Sequence, residues 1–333
     1  MMRSLILALM LFFCLGDASG QSTRKCGTDE AHQALMKKHR GIQSILSRKK
    51  QEKKPGFPQV PNPVYPEIVI PVVFHIVTHT AQPPFLISKE QVYSQLDALN
   101  EYFSQEITMY TPVLPKYWAD VYARDTRIRF CLARRDPQGN PTSGITRTTT
   151  DVPSFSSTLN NIKFDATGGK DIWPRDLYLN IWVGKIDDLL GYAQYPFGPA
   201  ETDGIVIDPD GFGTFGTPLP NFSDGKTAVH EVGHWLDLLH PWGPAASCSV
   251  DDFIDDTPPQ EAPNWLCDPY TFSCDGSRDM RENFMNYSWD PCNTFFTEGQ
   301  AQAMRFQLRP GGFRYPLTQS DRGCREIPRR MDE

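Results

Sequence analysis

His230-Glu231-Val232-Gly233-His234, with His240 six residues beyond the second histidine, restricts this chain more than any other feature of its sequence. At 3.6 residues per turn, His230 and His234 stand one turn apart on a single helical face, and both rings can aim a nitrogen at one ion. Glu231 points to the side of that face. His240 can join them only if the helix stops and the chain turns back before residue 240. Imidazole nitrogens suit zinc, and a third ring leaves one of the four tetrahedral positions open beside a carboxylate base. A histidine pair four apart is also common as a polar face or a buried hydrogen-bonded pair. Against that reading stand Glu231 and the spaced His240, in a chain with only seven histidines. His32, His39, His75 and His79 have no such context and are read as structural or surface residues.

The first twenty residues set the compartment. Arg3 precedes the apolar run of residues 5–13, and Ala18, Ser19 and Gly20 follow. That is the pattern of a signal peptide. The run is too short to span a bilayer and nothing later approaches the required length, so the expectation is a secreted, extracellular protein without a membrane anchor. Of eight cysteines, Cys14 leaves with the signal, and seven are an odd number for an oxidising compartment. Six of them (Cys131, Cys248, Cys267, Cys274, Cys292 and Cys324) lie in the body and could form three disulfides, whereas Cys26 lies alone in a basic leader. Residues 21–54 carry ten Lys/Arg against three Asp/Glu, or +7; from residue 55 onward there are 22 against 36, or −14. The two pieces attract each other. Nucleic acid is not an expected partner, because the leader has no Phe, Tyr or Trp to stack bases and the body is acidic.

Three segments follow: a signal peptide at 1–20, a basic pro-segment at 21–54, and a main domain at 55–333 with an upper lobe (55–240) and a lower lobe (241–333). The Lys/Arg-rich stretch 48–54 and the prolines at 55, 58, 61, 63 and 66 mark a protease-sensitive boundary. The β-branched run over 67–77 predicts a first strand. Val92, Leu96, Leu99 and Phe103 recur at helical spacing over 88–103, with Ser88 as N-cap and Gln91 three positions on. Further strands are predicted at 127–132, 177–183, 191–195 and 204–207, which with the helices gives an α/β layer. Residues 241–291 are rich in Pro, Asp, Cys and Asn and predict a loop-rich lobe held by disulfides. A last helix is expected from a capping box at Thr297 and Gln300, through Met304 and Leu308, toward Pro310.

These residues resemble the metzincin metallopeptidases, and within them the pappalysin or cytophagalysin (ulilysin-like) family. The resemblance is carried by the segment His230 to Leu236 with His240, by Asn283-Phe284-Met285-Asn286-Tyr287-Ser288 with Asp290 and Cys292, and by Phe296-Thr297-Glu298-Gly299-Gln300. Leu190-Gly191-Tyr192-Ala193-Gln194 and Asp203-Gly204-Ile205-Val206 are similar to the family's substrate-edge strand and the strand after it. The implied fold is α/β (α+β), with a twisted, mostly parallel five-stranded sheet, a backing helix, an active-site helix and a disulfide-bonded C-terminal lobe. A glycine stands in the family's closest pattern where this chain has Asp237; Asp is among the few other residues that tolerate the left-handed backbone the bend requires.

The function implied is a secreted zinc-dependent metalloendopeptidase, a hydrolase that cuts peptide bonds through a metal-bound water with Glu231 as general base. Its zinc ligands are His230, His234 and His240. Met285 forms the Met-turn floor, Tyr287 stabilises the oxyanion, and Asp290 lies at the base of the pocket for the residue after the scissile bond, favouring Arg or Lys there. Substrate would pair with residues 191–195 as an added edge strand. Cys26, in Arg24-Lys25-Cys26-Gly27-Thr28, resembles a cysteine switch that binds the zinc in the zymogen, making the pro-segment an inhibitor to be cut within 48–54. The carboxylate-dense loop 251–258 suits a structural calcium ion, with Asp252 and Thr257 matching the family best. The resemblance also pairs Cys248 with Cys274 and Cys267 with Cys292, leaving Cys131 and Cys324 as a third bridge. The rival is a catalytically inactive zinc-binding protein of the same fold. Asn221 and Asn286 head glycosylation sequons, the second expected to be unmodified inside the Met-turn.

Overall fold

A computed structural model describes residues 26–38, 65–83, 86–105, 116–268 and 270–323. The signal peptide, the basic stretch 48–54 and Cys324 lie outside the described residues. In chain order the principal elements are α1 (Thr28–Lys38), β1 (Ile68–His79), α2 (Lys89–Ser104), β2 (Ile128–Leu132) and β3 (Ile145–Thr150). They continue with β4 (Leu179–Val183), β5 (Gly191–Ala193), β6 (Ile205–Ile207), α3 (Lys226–Trp235) and α4 (Glu298–Leu308).

β1 is the backbone of the sheet. Its run of Ile and Val suits a strand covered on both faces, and residues 70–77 are all buried. Ile70, Val72, Phe74 and Ile76 face one side, into the main core with Val92, Leu99 and Phe103 of α2 and Val229, Val232 and Trp235 of α3. Val73 and Val77 face the other side, where Tyr178, Phe155, Ile162 and Trp182 cover them. His75 also lies on that side, fully buried, with Nδ1 2.8 Å from Thr146 Oγ1 and Nε2 2.9 Å from Asn180 Oδ1.

The sheet is mostly parallel, in the order β2-β1-β4-β6-β5, with β5 antiparallel. It has six strands, one more than the five expected. The additional strand, β3, pairs with Phe74–His79 of β1, beyond the Ile68–Val72 stretch that pairs with β2. Its sequence, Ile-Thr-Arg-Thr-Thr-Thr, has no apolar alternation because the strand is partly exposed at the sheet margin, so only pairing with β1 identifies it.

Caps behave as their residues dictate. Ser88 accepts from Gln91 N at the start of α2, and Thr297 and Gln300 form a reciprocal capping box on α4. After α4, Arg314 reaches back to the end of α3: Nε donates to Trp235 O at 2.7 Å, and Nη1 pairs with Asp203 at 2.8 Å. Two cross-links staple the loop-rich segment, Cys248–Cys274 and Cys267–Cys292. Cys131 is also disulfide-bonded, while its expected partner, Cys324, lies outside the described residues. No described helix is long and apolar enough to cross a membrane.

Candidate active site

α3 carries the site because it is buried along its whole length and stops at a defined point. After the cap residue Leu236, Asp237 adopts φ +79°. Asp237 N donates to His234 O and Leu238 N donates to Gly233 O, the paired bonds of a Schellman turn. The Asp237 carboxylate also accepts from Gln307 Nε2 at 2.8 Å, fixing the turn to α4. Aspartate thus makes the bend that glycine makes in the family pattern, and the chain returns His240 to the helix face.

The Nε2 atoms of His230, His234 and His240 lie 3.0 to 3.3 Å apart, all three residues being buried. Their outer nitrogens each meet an acceptor: His230 Nδ1 lies 2.8 Å from Phe284 O, His234 Nδ1 2.8 Å from Leu238 O, and His240 Nδ1 3.2 Å from Asp29 Oδ2. Carbonyl and carboxylate oxygens only accept, so the protons sit on Nδ1 and three Nε2 lone pairs face one another. Such lone pairs repel unless a cation lies between them. Zn–N bonds of 2.0–2.1 Å at tetrahedral angles put ligand nitrogens about 3.3 Å apart, so the donor set fits zinc. Burial, then the field of His240, lowers the His234 pKa to about 3, which keeps that ring neutral.

Cys26 completes the cluster. Its Sγ and the three imidazoles have ligand atoms within 4.8 Å of one another, the one such group of three or more His, Cys, Asp and Glu among the described residues. Burial first, and then the Glu231 carboxylate, push the Cys26 thiol well above its ordinary range, so a thiolate here calls for a cation. Cys26 forms a parallel bridge with Gly191 of β5, and Gly27 N donates to Gly191 O at 2.9 Å. The leader therefore pairs with the sheet-edge strand at which substrate was expected. Gly191 is required there, because a Cβ would stand 2.9 Å from Glu231 Cγ.

Met285 is fully buried beneath α3, in contact with Gly233, where any side chain would collide with the Met285 sulfur. Tyr287 is buried, and its hydroxyl donates to Cys26 O at 3.3 Å, reaching a backbone carbonyl of the segment that crosses the site. Burial, followed by Cys26, raises its pKa well above the tyrosine range, so the phenol keeps its proton. Asp290 is fully buried; Oδ2 accepts from Asp224 N at 3.0 Å, and its carbonyl accepts from Lys226 Nζ at 2.6 Å. The acidic loop does not bring three carboxylates together; Asp252 Oδ1 accepts from Ile254 N at 3.1 Å and from Thr257 Oγ1 at 2.6 Å. Asn286 spends its amide on Gln260, Asn264 and Met280 O, leaving no free nitrogen for a glycan.

Four contributors escaped the sequence reading. Trp242 stacks on the His240 ring, centroids 4.4 Å apart and planes 9° from parallel. The Tyr195 hydroxyl lies 3.3 Å from His234 Nδ1 and 3.4 Å from Asp29 Oδ1. Thr28 Oγ1 donates to Glu231 Oε2 at 2.9 Å, and Asp29 holds His240. Proximity to Cys26 was the one signal for the last two; nothing local marks Trp242 or Tyr195.

Comparison with known proteins agrees with this geometry. The metallopeptidase family described as Pregnancy-associated plasma protein-A matches residues 167–309. An extracellular metalloprotease of Aspergillus oryzae is 30% identical over 325 residues, covering 92% of this chain and 96% of its own length. Extracellular metalloprotease 1 of Coccidioides posadasii is 37% identical over 139 residues, 39% of this chain, and the chain spans about half (49%) of that relative. Mature mirolysin of Tannerella forsythia, solved with a cleaved peptide, is 41% identical with a TM-score of 0.71, covering 77% of this chain and 97% of that one. A promirolysin variant from the same organism is 37% identical with a TM-score of 0.78, covering 89% and 97%.

Proposed function

This chain belongs to the Pregnancy-associated plasma protein-A family of metallopeptidases, and from that membership we propose that it is a secreted zinc endopeptidase made as a cysteine-switch zymogen. The observation that carries the reading is the meeting of three buried imidazole lone pairs 3.0 to 3.3 Å apart, beside Glu231. Zinc, when bound there, supplies Lewis acidity toward a peptide carbonyl and lowers the pKa of water. Glu231 takes the proton from the attacking water and returns it to the leaving amine. Tyr287 donates to the oxygen on which negative charge develops. The β5 edge aligns substrate by main-chain pairing, as it already pairs with Gly27.

In the latent form Cys26 would join the three histidines in holding the metal. Asp290, buried near the start of α3, confers a preference for Arg or Lys after the scissile bond. Asp252 and Thr257 would be the residues to hold a structural calcium ion in this loop.

The test is cleavage of casein and a peptide library by leader-free protein, after chelation and after return of zinc alone or zinc with calcium. Activity restored by zinc, with cuts before Arg or Lys, is the expected result. The Glu231→Ala protein keeps stoichiometric zinc and loses about a thousandfold in rate. Zinc-free active protein, or full activity in Glu231→Ala, defeats the assignment.

A further inference from the structure

Cys26 is one of three neighbouring leader residues set on the centre: its Sγ lies among the three imidazoles and also 3.5 Å from Glu231 Oε2, and Thr28 and Asp29 add contacts to Glu231 and His240. Thr28 is fully buried, and its hydroxyl makes two bonds: it accepts from Ala193 N of β5 at 2.8 Å and donates to Glu231 Oε2 at 2.9 Å. The first bond orients the hydroxyl and the second places its only proton on the carboxylate. A general base needs that oxygen for a proton of water, and in this arrangement a fixed protein hydroxyl holds it. Neither bond is made by the Cys26 sulfur, which at 3.5 Å makes a longer contact to the same Glu231 oxygen and accepts from Thr28 N at 3.5 Å.

Asp29 acts on the opposite side of the cluster. Its Oδ2 meets His240 Nδ1 at 3.2 Å and its Oδ1 accepts from Tyr195 at 3.4 Å. The outer acceptors of His230 and His234 are backbone carbonyls of the main domain, Phe284 O and Leu238 O, whereas that of His240 comes from the leader. An outer carboxylate fixes the ring and strengthens it as a donor. Apart from the bond from Thr28 N to the Cys26 sulfur, the anchors of this arrangement are separate from the thiol. Gly27 passes so close to Leu189 that a Cβ would have to displace the Leu189 side chain, and Ala31 of α1 packs with Phe155, Ile186 and Tyr192.

We propose that Thr28 and Asp29 form a thiol-independent lock, in which Thr28 withdraws the Glu231 carboxylate from use and Asp29 holds the His240 ring. The lock rests on the zymogen reading above and adds to it that latency survives loss of Cys26. The pro-segment also steadies the metal site that it silences.

The experiment uses zinc-loaded, full-length protein, shown intact on gels, as wild type, Cys26→Ala and Cys26→Ala/Thr28→Val/Asp29→Asn. Initial rates on a fluorogenic peptide and the rate of zinc transfer to a chromophoric chelator are read together. Cys26→Ala alone is expected to stay at least about tenfold below the leader-free enzyme, and the triple variant to gain about tenfold in rate over it. Zinc transfer from the triple variant is expected to be about tenfold faster than from Cys26→Ala. Thr28→Ser in the Cys26→Ala background should remain locked. Thr28→Val in that background should raise the rate while hydrogen exchange over residues 28–38 stays unchanged. Cys26→Ala at the full rate of the leader-free enzyme overturns the proposal. So do equal readouts for Cys26→Ala and the triple variant, or a rate gain seen only where α1 undocks. Leader-free wild type without zinc or activity refutes the peptidase reading instead, independently of the lock.

Discussion

Asp237 shows how a single residue decides whether the third histidine reaches its place. Its φ of +79° lies in the region that most side chains avoid, at a cost of roughly 1–2 kcal/mol for a residue such as alanine. Aspartate tolerates it better, and here its carboxylate also receives the Gln307 amide. Asp237→Gly should therefore be neutral to within about 1 kcal/mol, exchanging that hydrogen bond for backbone ease. Asp237→Ala loses both and should cost about 2 kcal/mol in denaturant unfolding. Equal stability of the two variants would show that the turn does not depend on the left-handed conformation.

α4 and the Met-turn are coupled through one side chain. Gln300 Oε1 accepts from Thr297 N at 3.0 Å and from Asn283 Nδ2 at 2.7 Å, while its Nε2 donates to Asn283 Oδ1 at 3.0 Å. Asn283 Oδ1 in turn accepts from Met285 N at 2.9 Å, setting the turn geometry under α3. Thr297→Ala removes a helix cap and should cost about 1 kcal/mol. Gln300→Ala also leaves the buried Asn283 amide without its partner and should cost about 2–4 kcal/mol. Thermal or urea unfolding of the pair reads the difference. A Gln300→Ala loss no larger than that of Thr297→Ala would mean that the cap alone matters.

Across the molecule, burial of the sheet's second face makes stability depend on pH. His75 lies between β3 and β4 with its pKa lowered to about 4, chiefly by burial, against an ordinary 6.5. The unfolded chain therefore takes up the proton first as the pH falls. The contribution of this histidine is complete above about pH 6.5 and is lost toward pH 4, by about 3 kcal/mol in total. In a His75→Gln protein that loss is absent. Its stability deficit relative to wild type should shrink by about 2–3 kcal/mol between pH 7.5 and 4.5. A constant deficit would place the acid sensitivity elsewhere. The charge division of the chain, +7 in the leader and −14 in the rest, acts at the same scale by favouring leader docking on the body.

The sequence alone determined the elements whose signals are local. Histidine spacing set a helix and a break after it; β-branched runs set the strands; Ser88 and Thr297 set helix starts; and the odd cysteine marked Cys26 as separate. β3 escaped because a Thr-rich strand at a sheet margin gains its order from the neighbour it pairs with, not from its own periodicity. Trp242 on His240, Tyr195 beside His234, Thr28 on Glu231 and Asp29 on His240 were settled only by tertiary structure. The physical reason is distance along the chain: a hydrogen bond between Thr28 and Glu231 spans 203 residues, and no pattern within either segment encodes its partner.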